Sequence, residues 1–77
     1  MLMADYCKDG FKVLVEKFGR ETFEICMNNG ATVRDLLRKL GLAESEVVVA
    51  VNGEVVAEDE GLVPHVKVTI HSVVSGG

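Results

Sequence analysis

Hydrophobic and polar positions alternate along the first third of the chain. Phe11, Val13 and Val15 interleave with Lys12, Leu14 and Glu16, and Phe23, Ile25 and Met27 interleave with Thr22, Glu24 and Cys26. A period of two sends neighbouring side chains to opposite faces of a strand, so residues 11–18 and 21–27 predict two strands that turn one apolar face to a shared core. Gly19-Arg20 between them predicts an antiparallel hairpin. The period changes after Asn28-Asn29-Gly30. Val33, Leu36, Leu37 and Leu40 recur at three- and four-residue spacing, with Arg34, Asp35, Arg38 and Lys39 on the other side, which predicts an amphipathic helix over 33–40. Thr32 is placed to cap its first turn, where Asp35 meets the positive end of the helix dipole. Gly41 supplies the left-handed residue that stops it, with Leu42 folding back on Leu37.

The β-branched run Val47 to Val51 predicts a strand, and Asn52-Gly53 is a strong tight-turn signal that returns the chain through Glu54-Val55-Val56. A polar stretch, residues 57–61, leads to Pro64 at the margin of a last strand. Val66, Val68 and Ile70 form that strand's inward face, and Lys67, Thr69 and His71 point outward. The order is β-β-α-β-β-β. A hairpin, one crossover helix and further strands allow the first and last strands to lie parallel at the centre of a mixed sheet, with the helix over one face. This is an α+β, ubiquitin-like β-grasp fold. Its expected limits are a loosely ordered extension over 1–10, the β-grasp domain over 11–71 and a flexible tail over 72–77.

With 77 residues the chain holds one core and has no room for a deep enclosed active site. A hydrophobic content of 48% and a mean hydropathy of +0.26 exclude a disordered segment and leave apolar surface for a partner. The net charge of −4, with basic residues scattered among the acids, argues against nucleic-acid binding. No apolar run approaches the roughly 20 residues of a membrane span and the N-terminus lacks the pattern of a signal peptide, so a cytoplasmic, reducing setting is expected. Cys7 and Cys26 form neither a CxxC motif nor a four-ligand set, and two thiolates do not hold an iron–sulfur cluster. Both read as incidental, with Cys26 on the solvent face of its strand. His65 and His71 lack further ligands and read as surface histidines; no metal site is expected.

The last six residues, Ser72-Val73-Val74-Ser75-Gly76-Gly77, carry no charged side chain. Fully extended, such a tail reaches about 20 Å. Two terminal residues without a Cβ let the backbone pass where any side chain would collide, and the uncharged approach avoids a desolvation cost on entering a channel. A carboxylate is a poor electrophile, so chemistry at this end requires activation, normally by attack on ATP to form an acyl-adenylate. The activated carbonyl then accepts sulfide or persulfide sulfur, giving a thiocarboxylate, or a thiol or lysine amine, giving a conjugate. On the sheet, Val48, Ala50, His71 and Val73, continued by Val74, form a candidate patch for docking the activating enzyme.

Three features carry a family resemblance: Thr32-Val33-Arg34-Asp35-Leu36-Leu37 in the helix, Val49-Ala50-Val51-Asn52-Gly53-Glu54-Val55-Val56 in the middle hairpin, and terminal Gly76-Gly77. Over residues 11–77 the chain resembles the ThiS and MoaD sulfur-carrier family and the related ubiquitin-like small modifiers of archaea. The resemblance implies a carrier with no catalytic activity and no bound cofactor, activated at Gly77 by an ATP-using adenylyltransferase of the ubiquitin-activating type. It also implies a sulfur donor, and as acceptor a target-protein lysine or a sulfur-accepting synthase. Thiamin-type carriers commonly have Pro and Arg after the NGEVV stretch and an Asp-Gly-Asp turn before the last strand, where this chain has Ala57-Glu58 and Val63-Pro64-His65. Molybdopterin-type carriers commonly approach their Gly-Gly through a proline, absent from residues 72–75. A small modifier with a role in tRNA thiolation fits these departures best. The competing class is a monomeric β-grasp domain that binds a partner through its sheet without covalent chemistry.

Overall fold

The computed structural model describes Cys7 and residues 9–73. Strands β1 (Gly10–Lys17) and β2 (Glu21–Asn28) form the expected hairpin, with Phe11 opposite Met27 and Val15 opposite Phe23. Phe18 and Gly19 both take positive φ, 57° and 67°. That geometry matches the right-handed twist of paired strands, and the Arg20 N–H donates to the Lys17 carbonyl at 3.0 Å to close the turn.

Helix α1 (Val33–Leu40) follows, with both ends built as the residues predict. The Asp35 N–H donates to the Thr32 hydroxyl at 3.4 Å, and the Thr32 N–H donates to the Asp35 carboxylate at 2.9 Å, a reciprocal capping box. Two more first-turn N–H groups are satisfied from the polar stretch: Val33 donates to the Glu60 carbonyl at 2.9 Å and Arg34 to the Glu58 carbonyl at 2.7 Å. At the other end Gly41 is left-handed, with φ 74°; its N–H donates to the Arg38 carbonyl and that of Leu42 to the Leu37 carbonyl.

A 3-10 turn, Glu44–Glu46, which the periodicity does not announce, leads into β3 (Val47–Val51). The Asn52-Gly53 turn, with φ 52° and 88°, returns the chain as β4 (Glu54–Val56), and β5 (Lys67–Ser72) completes a five-stranded sheet in the order β2-β1-β5-β3-β4. The pair β1–β5 is parallel and the others are antiparallel. The inner face packs Val13, Val15, Val68 and Ile70 against Val33, Leu36 and Leu37 of α1, all essentially inaccessible to water. Among the described residues no helix covers the outer face.

Two expectations change. Gly10 already pairs with Asn28 in β1 and Ser72 still belongs to β5, so strand pairing runs one residue past 11–71 at each end. Cys7, assigned to the loose extension, forms a disulfide with Cys26, and the two cysteines are therefore not incidental. Their spacing gave no sign of this, because a pairing across 19 positions of sequence depends on how the chain enters β1. Among the described residues no helix is long and apolar enough to cross a membrane.

Candidate functional site

The outer sheet face divides into a charged half and an apolar half. On β1 and β2 the outward side chains neutralise one another: Lys12 Nζ lies 3.4 Å from Glu24, and Lys67 Nζ of β5 lies 3.3 Å from Glu16. Solvent screens such pairs, so they decorate the surface and add little to stability. On β3 and β4 the outward positions Val48, Ala50 and Val55 are apolar, whereas β5 turns Lys67, Thr69 and His71 outward. Val48 is half-buried directly opposite the exposed His71, and Ala50 stands between Thr69 on one side and Val55 on the other. Val55 is 69% exposed, the most open large apolar side chain among the described residues.

Val73 lies at the rim of this patch, 49% exposed. Its N–H donates to the Glu46 carbonyl at 3.1 Å, carrying the β3–β5 ladder one step past the Val47–Ser72 pair. Ser72 and Val73, assigned to the flexible tail, are therefore both tied to the sheet. From Val73, residues 74–77 have a contour limit of about 14 Å rather than about 20 Å. Val74, Gly76 and Gly77, assigned to docking and activation, lie outside the described residues.

The structure thus brings Val48, Ala50, His71 and Val73 to one face beside the chain's exit, and it alters the role of Ala50. At 7% exposure Ala50 is a floor covered by its neighbours and not a contact surface. The exposed apolar side chain on that side is Val55, which the residue pattern had not singled out. A signal was present: with Val56 turned to the core, alternation sends Val55 outward at Ala50's cross-strand position. His65 does not join this face. It sits before β5 with φ 67°, its N–H donating to the Lys12 carbonyl, and the length of β5 separates it from His71. Among the described residues no three His, Cys, Asp or Glu side chains converge.

What this arrangement offers chemically is a face for binding a partner. Comparisons with known proteins agree in kind. The family model for small archaeal modifier protein 2 matches residues 11–74. Small archaeal modifier protein 2 of Haloferax volcanii is 42% identical over 57 residues, spanning 73% of this chain and 86% of that protein. Among solved structures, SAMP1 from Haloferax volcanii superposes with a TM-score of 0.69 at 23% identity, covering 86% of this chain and 99% of that one. The ubiquitin-like domain of an Arabidopsis thaliana protein superposes with a TM-score of 0.65 at 14% identity, covering 91% and 92%. At these identities the two superpositions speak to the fold alone.

Proposed function

Since the chain belongs to the small archaeal modifier protein 2 family, and so is a ubiquitin-like modifier and not an enzyme, we propose that its reacting group is the Gly77 carboxylate, activated by a partner adenylyltransferase. The partner binds ATP; this chain supplies the docking face and the acyl group. A carboxylate oxygen of Gly77 attacks the α-phosphorus of ATP and expels pyrophosphate, leaving an acyl-adenylate. Hydrosulfide supplied by a donor, or the amine of a target lysine, then attacks the carbonyl, expels AMP and gives up a proton, forming a thiocarboxylate or an isopeptide bond. The thiocarboxylate serves sulfur transfer, of which tRNA thiolation fits the departures from thiamin- and molybdopterin-type carriers best. Both outcomes place the chain in the cytoplasm with its activating enzyme.

One observation carries the reading: β5 leads Val73 out at the rim of the one-sided apolar patch formed by Val48, Val55 and His71. A partner seated on that patch has the tail entering it within a short contour. The Gly76-Gly77 end, lacking side chains, suits a narrow path to a nucleotide.

The test is to incubate the chain with ATP and a ubiquitin-activating-type enzyme from the same cells and follow its intact mass. The expected result is an adenylate, converted to a thiocarboxylate when a sulfur donor is added, with neither formed after deletion of Gly77. A mass unchanged under all conditions, with equal cellular function after the deletion, would establish the non-covalent interaction domain instead.

A further inference from the structure

We propose that the Cys7–Cys26 bridge is a thiol–disulfide exchange site, a clip at the end of the sheet remote from the tail that small thiols open and close through Cys26. Cys26 is exposed on the outer face, directly across from Lys12, whereas Cys7 is half-buried. Cys26 is therefore the more exposed partner of the bridge. Lys12 places a cation beside the path of an incoming thiolate, moderated by its contact with Glu24.

The bridge closes a place where the backbone is already drawn tight. The β1–β2 ladder ends at the pair Gly10–Asn28, and a Cβ on Gly10 would run into the Met27 carbonyl, so only glycine permits this approach. Two pairs in from that end, Cys26, opposite Lys12 in the ladder, is fastened to Cys7 from the segment that precedes β1. Strand β2 is an edge strand with β1 as its sole ladder partner, and its end runs directly through the turn closed by the Ala31 N–H and Asn28 carbonyl into the Thr32 cap of α1. Opening the bridge removes a covalent hold on that edge. Because β5 runs parallel to β1, with Leu14 opposite Lys67 and Lys17 opposite Ile70, the chain leaves β5 at the hairpin-turn end of β1 and not at the clipped end. The clip therefore governs stability without entering the patch or the tail.

The exchange balances as follows. A thiolate attacks Cys26 Sγ, the intramolecular S–S bond breaks, and Cys7 leaves as a thiolate that takes up a proton. Cys26 then carries a mixed disulfide. A second small thiol attacks the outer sulfur of that adduct, releasing the Cys26 thiol and a disulfide of the two small thiols, a net two-electron, two-proton reduction of the clip.

In the test, the full chain is equilibrated in glutathione buffers of increasing reduced-to-oxidised ratio. Thiols are then trapped by alkylation and mapped by peptide mass, and urea unfolding is measured at each end of the series. The bridge should open across the series with the mixed glutathione adduct on Cys26 in preference to Cys7. The folding equilibrium constant should fall on the order of a hundredfold, the chain-entropy expectation for a loop of this length. Cys7→Ser should unfold like the reduced wild type and gain none of the bridge's stability in oxidised buffer, whatever adduct Cys26 carries; reduced, alkylated wild type gives the same comparison should that variant not fold. Two free thiols in the fully oxidised buffer, an adduct confined to Cys7, or identical unfolding at both ends of the series would each overturn the proposal.

Discussion

At the start of α1 the Thr32 N–H donates to the Asp35 carboxylate while the Asp35 N–H donates to the Thr32 hydroxyl. The backbone bond from Thr32 is the main reason the Asp35 carboxyl titrates below its ordinary value of 3.8; desolvation opposes it, and the Thr32 hydroxyl, Arg38 and Arg34 each add a smaller lowering. A carboxylate whose pKa is lowered in the folded chain contributes stability that is complete above the unfolded value and is lost as pH falls through the folded one. Wild-type stability should therefore carry a component that disappears below pH 3.8, and Asp35→Asn should be less stable near neutrality and lack that component. Urea midpoints across an acid pH series check this. Residue by residue, pattern recovers face better than environment. Alternation places Ala50 on the outer face, but its cover by Val55 and Thr69 is a fact of register. The positive φ of Phe18 and His65 leaves no mark on composition, since neither position holds glycine.

At the scale of elements, local signals agree with one another wherever the reading succeeds. The bounds of α1 are recovered because its apolar stripe, its Thr32 cap and its Gly41 stop coincide. The β3–β4 hairpin follows from Asn52-Gly53, both left-handed as a tight turn between twisted strands requires. The 3-10 turn Glu44–Glu46 is too short to show a period, and the clip between Cys7 and Cys26 joins segments that no local rule connects. The packing of α1 on the sheet gives a second expectation. Leu36 is wholly buried and central to the core, and truncating a buried leucine costs about 2–5 kcal/mol. Leu36→Ala should thus lower the urea midpoint of the whole domain in a single transition, since helix and sheet share one core. A separate transition of the helix alone would show the two to be uncoupled.

Over the whole molecule, the disulfide and the proposed docking face occupy opposite ends. The clip and the close Gly10–Met27 approach lie where β1 begins, while the exposed patch and the chain's exit lie where β5 finishes. The β-grasp order and the Gly-Gly end are readable from the chain because both are local and linear. The docking face is only partly so: Val48, His71 and Val73 follow from alternation, whereas the replacement of Ala50 by Val55 as the contact side chain depends on burial. The central claim is that this face docks the activating enzyme while the terminal carboxylate does the chemistry. Its most direct measurement compares wild type, Val55→Asp and a chain lacking Gly77 for affinity to the activating enzyme and for adenylate formed per bound complex. Val55→Asp should weaken binding roughly tenfold or more, as loss of an apolar anchor does, yet form adenylate normally when the enzyme is saturated. The chain lacking Gly77 should bind nearly as wild type and form none. Unchanged affinity for Val55→Asp together with adenylation of the truncated chain would contradict the account.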